Sequence, residues 1–114
     1  MKVVCGIDVV FIPDFKESIK VGGSSLLSRI FDDSELENMK IDHLAGVFAS
    51  KEAVVKALGI KVGNWKSINI RYQKTGKPIV VLKKSIKATT FSCDLSISHS
   101  GDYATAVFVA LVVN

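Results

Sequence analysis

Residues Ile41 to Leu58 carry the strongest constraint on how this chain can fold. Leu44, Val47, Phe48, Val55 and Leu58 recur at helical spacing, and the segment is free of internal proline. Asp42 can cap its start, and Gly59 can close it in the left-handed conformation. A helix of this length and apolar content needs a sheet or other helices to cover it. The flanking segments supply the sheet. Val3 to Val10 is β-branched and apolar around Gly6 and Asp8, which reads as a buried first strand ended by Pro13. Phe15 to Ile30 reads as helix broken at Gly22-Gly23. Ile68, Ile70 and Tyr72 alternate, Lys74 to Pro78 form a turn, and Ile79 to Leu82 return. Cys93, Leu95 and Ile97 alternate again, Ser98 to Asp102 read as a polar bend, and Ala104 to Val113 read as a last strand covered on both faces. The expected architecture is one α+β domain over residues 1–114, a mostly antiparallel sheet packed against the long central helix.

Composition narrows the function classes. The 114 residues carry a formal charge of +4, a mild basic bias that suits phosphorylated ligands or an acidic protein partner. No Lys/Arg cluster with interleaved aromatics is present, which argues against a nucleic-acid module. The apolar stretch from Tyr103 to Val113 is too short for a membrane-spanning helix, and Val3-Val4-Cys5 runs straight into Asp8 without the pattern of a signal peptide. A cytoplasmic protein with no membrane or nucleic-acid partner is expected. The two cysteines, Cys5 and Cys93, have no Cys-x-x-Cys spacing and read as buried reduced thiols.

Three groups of residues can carry chemistry. Asp8 interrupts an apolar strand, where an ionised carboxylate is costly unless paired or metal-bound. Glu52 lies on the long helix, four residues before Lys56. Either Asp8 accepts backbone hydrogen bonds while Glu52 pairs with Lys56, or the two carboxylates hold one magnesium, with waters and substrate phosphates completing its octahedron. Ser98-His99-Ser100-Gly101 is either an ordinary polar turn or a phosphate clasp of imidazole, hydroxyls and free backbone N–H groups. Thr75-Gly76-Lys77-Pro78 is a turn that lacks the glycine spacing of a Walker A loop.

Taken in order, Gly6-Ile7-Asp8, Phe48-Ala49-Ser50-Lys51-Glu52-Ala53-x-x-Lys56-Ala57-Leu58-Gly59, Gly76-Lys77-Pro78 and Ser96-Ile97-Ser98-His99-Ser100 resemble the holo-(acyl-carrier-protein) synthases of the 4′-phosphopantetheinyl transferase superfamily. Arg29-Ile30-Phe31, Ser34-Glu35-Leu36 and Leu44-Ala45-Gly46 fit the same pattern, so the resemblance covers nearly the whole chain. It implies the fold of that superfamily and transfer of phosphopantetheine from coenzyme A to a serine of an apo acyl-carrier protein, releasing 3′,5′-ADP. It further implies that Asp8 and Glu52 hold magnesium on the coenzyme A pyrophosphate and that Lys56 contacts that pyrophosphate. By the same resemblance Lys51 is expected near the phosphates, His99 and Ser100 near the adenosine 3′-phosphate, and Gly76, Lys77 and Pro78 at the site of a neighbouring subunit in a homotrimer. Departures from the family pattern are Val47 in place of an arginine, Phe11 in place of an acidic residue, and Pro13-Asp14 in place of a basic pair, with Lys16 and Lys20 following. Asp8, Glu52, Lys56 and His99 favour an active transferase. Val47 and Asp14 favour the alternative, a non-catalytic relative that binds carrier protein, coenzyme A or a partner subunit.

Overall fold

The computed structural model describes residues 1–113. Strand β1 (Lys2–Phe11) is followed by helix α1 (Ile12–Ile30), a 3₁₀ turn at Glu35–Glu37 and the long helix α2 (Ile41–Leu58). A second 3₁₀ turn (Trp65–Ser67) leads into the hairpin β2 (Ile68–Tyr72) and β3 (Pro78–Leu82). A one-turn helix α3 (Lys84–Lys87) precedes the paired strands β4 (Thr90–Ser100) and β5 (Tyr103–Val112). One sheet runs β1-β5-β4 and the hairpin forms a second, and every pairing is antiparallel. The α+β reading therefore holds, with α2 between the two sheets.

Alternation along the strands sets what faces the helix. On β5, Ala104, Ala106, Phe108 and Ala110 are buried. Small side chains there let α2 lie close to the sheet. The closest approach is at Gly6, where an added Cβ would collide with the Ala53 carbonyl, so only glycine fits. The other face of the same sheet stays apolar but open. Val3, Ile7 and Val9 are each more than 60% exposed, and Val107 and Val109 lie beside them. The expectation that the last strand is covered on both faces is thus corrected: the chain covers one face only. Cys5 is exposed on β1 and Cys93 is half-buried, so the expectation of two buried thiols fails for Cys5.

The strand β1 stops where Ile12 and Pro13 begin α1, proline being tolerated in a first helical turn. The Ile12 N–H donates to the Asp102 carbonyl at 2.7 Å, tying this corner to the β4–β5 turn. Helix α1 is interrupted at Gly23 (φ 61°, ψ −153°), as the Gly22-Gly23 pair predicts. Helix α2 has Lys40 at its N-cap with no side-chain cap, so Asp42 does not cap it. Its end at Gly59 (φ 64°) is as expected.

The interior side of α2 away from the main sheet contains a buried ion pair. Lys51 Nζ donates to Glu35 Oε1 at 2.7 Å, to the Ile30 carbonyl at 2.7 Å and to the Trp65 carbonyl at 3.3 Å. Glu35 also accepts from the Asp32 and Ile70 backbone N–H groups, each at 2.8 Å. Both side chains are fully excluded from solvent. The charges are tolerable because the lysine has three acceptors and the carboxylate three donors. The Glu35 carboxylate thus caps the Asp32 backbone N–H three residues back and closes a 3₁₀ turn. Removing the lysine strands a buried carboxylate. Lys51→Ala is expected to lower unfolding free energy by about 3–5 kcal/mol, measured by urea denaturation. A loss below about 1 kcal/mol, the value of an exposed pair, would contradict this account.

Candidate active site

On β1, Gly6, Asp8 and Val10 fall on the face turned to α2, because strand residues alternate. That alternation sets Asp8 against the C-terminal half of the helix. Lys56 Nζ donates to Asp8 Oδ1 at 3.1 Å and to the Ile7 carbonyl at 3.0 Å. The expected Glu52–Lys56 pair is not formed; Lys56 turns to the strand instead. Its side chain is 57% exposed, leaving the ammonium accessible to a ligand, while Asp8 is 17% exposed. The Asp8 carbonyl accepts from Thr105 Oγ1 at 2.8 Å, which fixes the strand at this point.

Asp8 and Glu52 line one cleft of about 530 Å³, together with Phe11, Asp14, Phe15, Phe48 and Trp65. A larger cleft of about 620 Å³ lies at the C-terminal end of α2 and is lined by Lys2, Lys61 and Lys83, with no carboxylate among the described residues. Chemistry, not volume, selects the first. Glu52 is held above the usual glutamate value by burial, with the Asp8 charge adding to the effect. The Trp65 indole N–H and Lys56 act in the opposite direction. Trp65 Nε1 lies near enough to favour the ionised carboxylate, yet no bond of ordinary length and angle forms. It is the one buried side-chain polar atom without a partner among the described residues.

The donor set fits a hard divalent cation. Two carboxylate oxygens sources converge, and their mutual repulsion is relieved by a positive charge between them. Asp14 lines the same cleft, but among the described residues no third His, Cys, Asp or Glu comes close enough to complete a three-residue ligand set. That suits magnesium, which keeps several waters and needs only one or two carboxylates besides substrate phosphates.

Other expected site residues fall elsewhere. Lys51 is a correction: its ammonium is fully buried against Glu35 and contacts no cleft, so it is structural rather than phosphate-binding. His99 lies at the other end of α2, its Nε2 3.0 Å from the Asp42 carbonyl. In register it stands two strands and two residues from Asp8, on the order of 12 Å. Strand β4 continues through Ser100, paired with Tyr103, so the polar bend reduces to Gly101-Asp102. Ser100 is exposed and falls on the opposite strand face from His99. Gly76, Lys77 and Pro78 sit at the β2–β3 turn, where Lys77 Nζ pairs with Asp94 Oδ1 at 2.7 Å. One chain thus gathers Asp8, Glu52 and Lys56 but leaves His99 and the 76–78 turn apart from them.

Among the departures, Val47 is fully buried in the core. An arginine in its place would have no solvent in this chain. Asp14 is exposed in the first turn of α1 and lines the acidic cleft, and Phe11 packs on Tyr103 with ring centroids 5.3 Å apart. Glu35 and Trp65 are contributors that motif reasoning did not find. Glu35 had a signal in its spacing from Asp32; Trp65 had none beyond being the only tryptophan.

Residues 4–108 match the profile of the 4′-phosphopantetheinyl transferase superfamily. The chain belongs to this superfamily. A holo-(acyl-carrier-protein) synthase of Chlamydia pneumoniae is 40% identical over 116 residues, covering 93% of this chain and 94% of the relative. The fold matches the crystal structure of the Helicobacter pylori holo-(acyl-carrier-protein) synthase in complex with coenzyme A at a TM-score of 0.87 and 31% identity, covering 94% of this chain and 99% of the other. A coenzyme A complex of the Chronobacterium ammoniagenes enzyme matches at 0.82 and 27% identity over the full length of both chains.

The raised Glu52 carboxyl makes a stability prediction for the metal-free superfamily member. A carboxyl with a raised folded-state value binds its proton more tightly when folded. It therefore contributes stability below the unfolded glutamate value, and that contribution is lost as pH rises through the folded value. At neutral pH the charge is a burden that glutamine lacks. Glu52→Gln is expected to melt higher than wild type at pH 7 in chelator, with the difference closing as pH falls below the ordinary glutamate range. Equal melting temperatures at pH 7 would count against the desolvated, repelled carboxylate.

Proposed function

We propose that this chain transfers the 4′-phosphopantetheine group of coenzyme A to a serine of an apo acyl-carrier protein, releasing 3′,5′-ADP. The observation that carries this reading is that Asp8 and Glu52 line one cleft, with the accessible Lys56 ammonium bonded to Asp8, in a fold shared with coenzyme A-bound synthases. Residues 1–114 act as a single domain, supported by one continuous core. No helix among the described residues is long and apolar enough to cross a membrane; we assign the protein to the cytoplasm.

The serine hydroxyl attacks the phosphorus bonded to the pantetheine arm, and the phosphorus–oxygen bond to 3′,5′-ADP breaks. Glu52, or a water it orients, takes the serine proton. Lys56 adds positive charge at the pyrophosphate. Asp8 and Glu52 are the residues that would hold magnesium, whose bound charge offsets the negative charge gathering on the leaving oxygens. His99 and Ser100 contribute to coenzyme A binding near the adenosine 3′-phosphate, and Gly76, Lys77 and Pro78 contribute from a neighbouring copy, since one chain keeps that turn away from the acidic pair. The open apolar sheet face, with Val3, Ile7, Val9, Val107 and Val109, supplies a surface for a homotrimer.

Incubation of an apo acyl-carrier protein with coenzyme A and magnesium should add the mass of one phosphopantetheine, and Glu52→Gln should abolish this while remaining folded. An unmodified carrier with wild type, or unchanged turnover in the variant, would refute the assignment and favour the binding-only alternative to which Asp14 and Val47 point.

Light scattering should give three chains per particle for the wild type and a smaller species for Ile7→Glu, which places a charge on the open face. A wild-type monomer at micromolar concentration would exclude the shared site.

A further inference from the structure

Trp65 begins the 3₁₀ turn before β2, and a hydrogen bond and an aromatic contact fix it. Its carbonyl accepts from Lys51 Nζ at 3.3 Å. Its ring packs on Phe48 with centroids 5.9 Å apart, and Phe48 in turn stacks on Phe15 at 5.5 Å. The ring thereby lines the cleft that also contains Glu52 and Asp8. The single polar atom of its ring, the indole nitrogen, is shut off from solvent and has no hydrogen-bond partner among the described residues. Buried donors are ordinarily satisfied, and an orphan at a functional cleft calls for an acceptor that arrives or reorients. The carboxylate in reach is Glu52, the residue after the lysine that holds the Trp65 backbone.

We propose that Trp65 is a positioning residue for Glu52: its indole N–H closes on one carboxylate oxygen when the cleft is loaded, leaving the other oxygen directed at the cation and the serine proton. Hydrogen bonds of this kind are often long or misaligned in an empty site and tighten in the complex. Donors that orient a ligating carboxylate affect metal affinity without touching the metal. The inference rests on Glu52 serving the loaded site as read above.

Trp65 is the only tryptophan in the chain, so the protein has a single indole N–H signal in a proton–nitrogen correlation spectrum. Adding magnesium with 3′,5′-ADP to the wild type should move that proton downfield, the direction of a strengthened hydrogen bond. In Glu52→Ala it should stay where it lies in the empty wild type. Trp65→Phe keeps the ring and removes the donor; magnesium affinity by calorimetry in the presence of 3′,5′-ADP, and kcat, should each fall about 10-fold or more, with KM for coenzyme A nearly unchanged. An indole signal that ignores magnesium and 3′,5′-ADP, in a wild type that modifies its carrier, overturns the proposal and leaves the transferase reading intact. A Trp65→Phe protein that binds magnesium as the wild type does overturns it as well. If Trp65→Phe does not fold, the wild-type and Glu52→Ala spectra decide. A wild type without transferase activity whose indole still moves downfield would retain the Trp65–Glu52 contact while refuting the transferase.

Discussion

The buried Lys51–Glu35 pair joins parts of the chain that have little else in common. The lysine reaches the end of α1 and the turn before β2, and the glutamate binds the backbone at Asp32 and Ile70. Five segments are thus referred to one charged centre beside α2. An ion pair in that setting gains little over a well-packed apolar substitute, because desolvation offsets most of its attraction. What it does supply is direction: each donor and acceptor has one geometry in which all are satisfied. Burial draws the Lys51 ammonium below the usual lysine range, with Glu35 acting against that change.

The acidic cleft depends on this centre through adjacent residues. Lys51 and Glu52 are consecutive on α2 and point to different surroundings, one into the interior and one into the cleft. Fixing the helix rotation by Lys51 therefore also fixes where Glu52 presents its carboxylate. On the sheet side, the absent side chain of Gly6 lets the helix settle close enough for Lys56 to reach Asp8. The site is built from one strand and one helix, both rigid elements, which suits a reaction that relies on positioned charge.

Much of this was legible in the sequence. The bounds of α2, the break at Gly23 and the β2–β3 turn follow from periodicity and glycine placement, whereas the meeting of Asp8 with the motif helix came from the family resemblance, because the residues alone left backbone partners for Asp8 equally open. Failures have a common cause. Lys51 was set near the phosphates by the family resemblance alone; only the fold reveals that Glu35 lies opposite it. Residues 98–100 looked like a bend because serine and glycine favour turns, but pairing with β5 holds them in the strand. The last strand was read as doubly covered because its apolar residues do not alternate with polar ones, and sequence does not distinguish cover by the same chain from cover by another. Trp65 was invisible because its role depends on an unpaired atom.

The two faces of β1 carry unrelated duties on alternate residues. Gly6, Asp8 and Val10 serve the helix and the cleft, whereas Val3, Cys5, Ile7 and Val9 form the uncovered apolar surface. Because the side-chain period is two, inserting or deleting one residue early in β1 would turn both sets over together. The carboxylate would then face outward, and the apolar side chains would crowd against α2. Point substitutions can vary either face separately, but changes in length cannot. Variation in chain length among functional descendants of this sequence should therefore be confined to the loops, and this strand should persist as a block of fixed length.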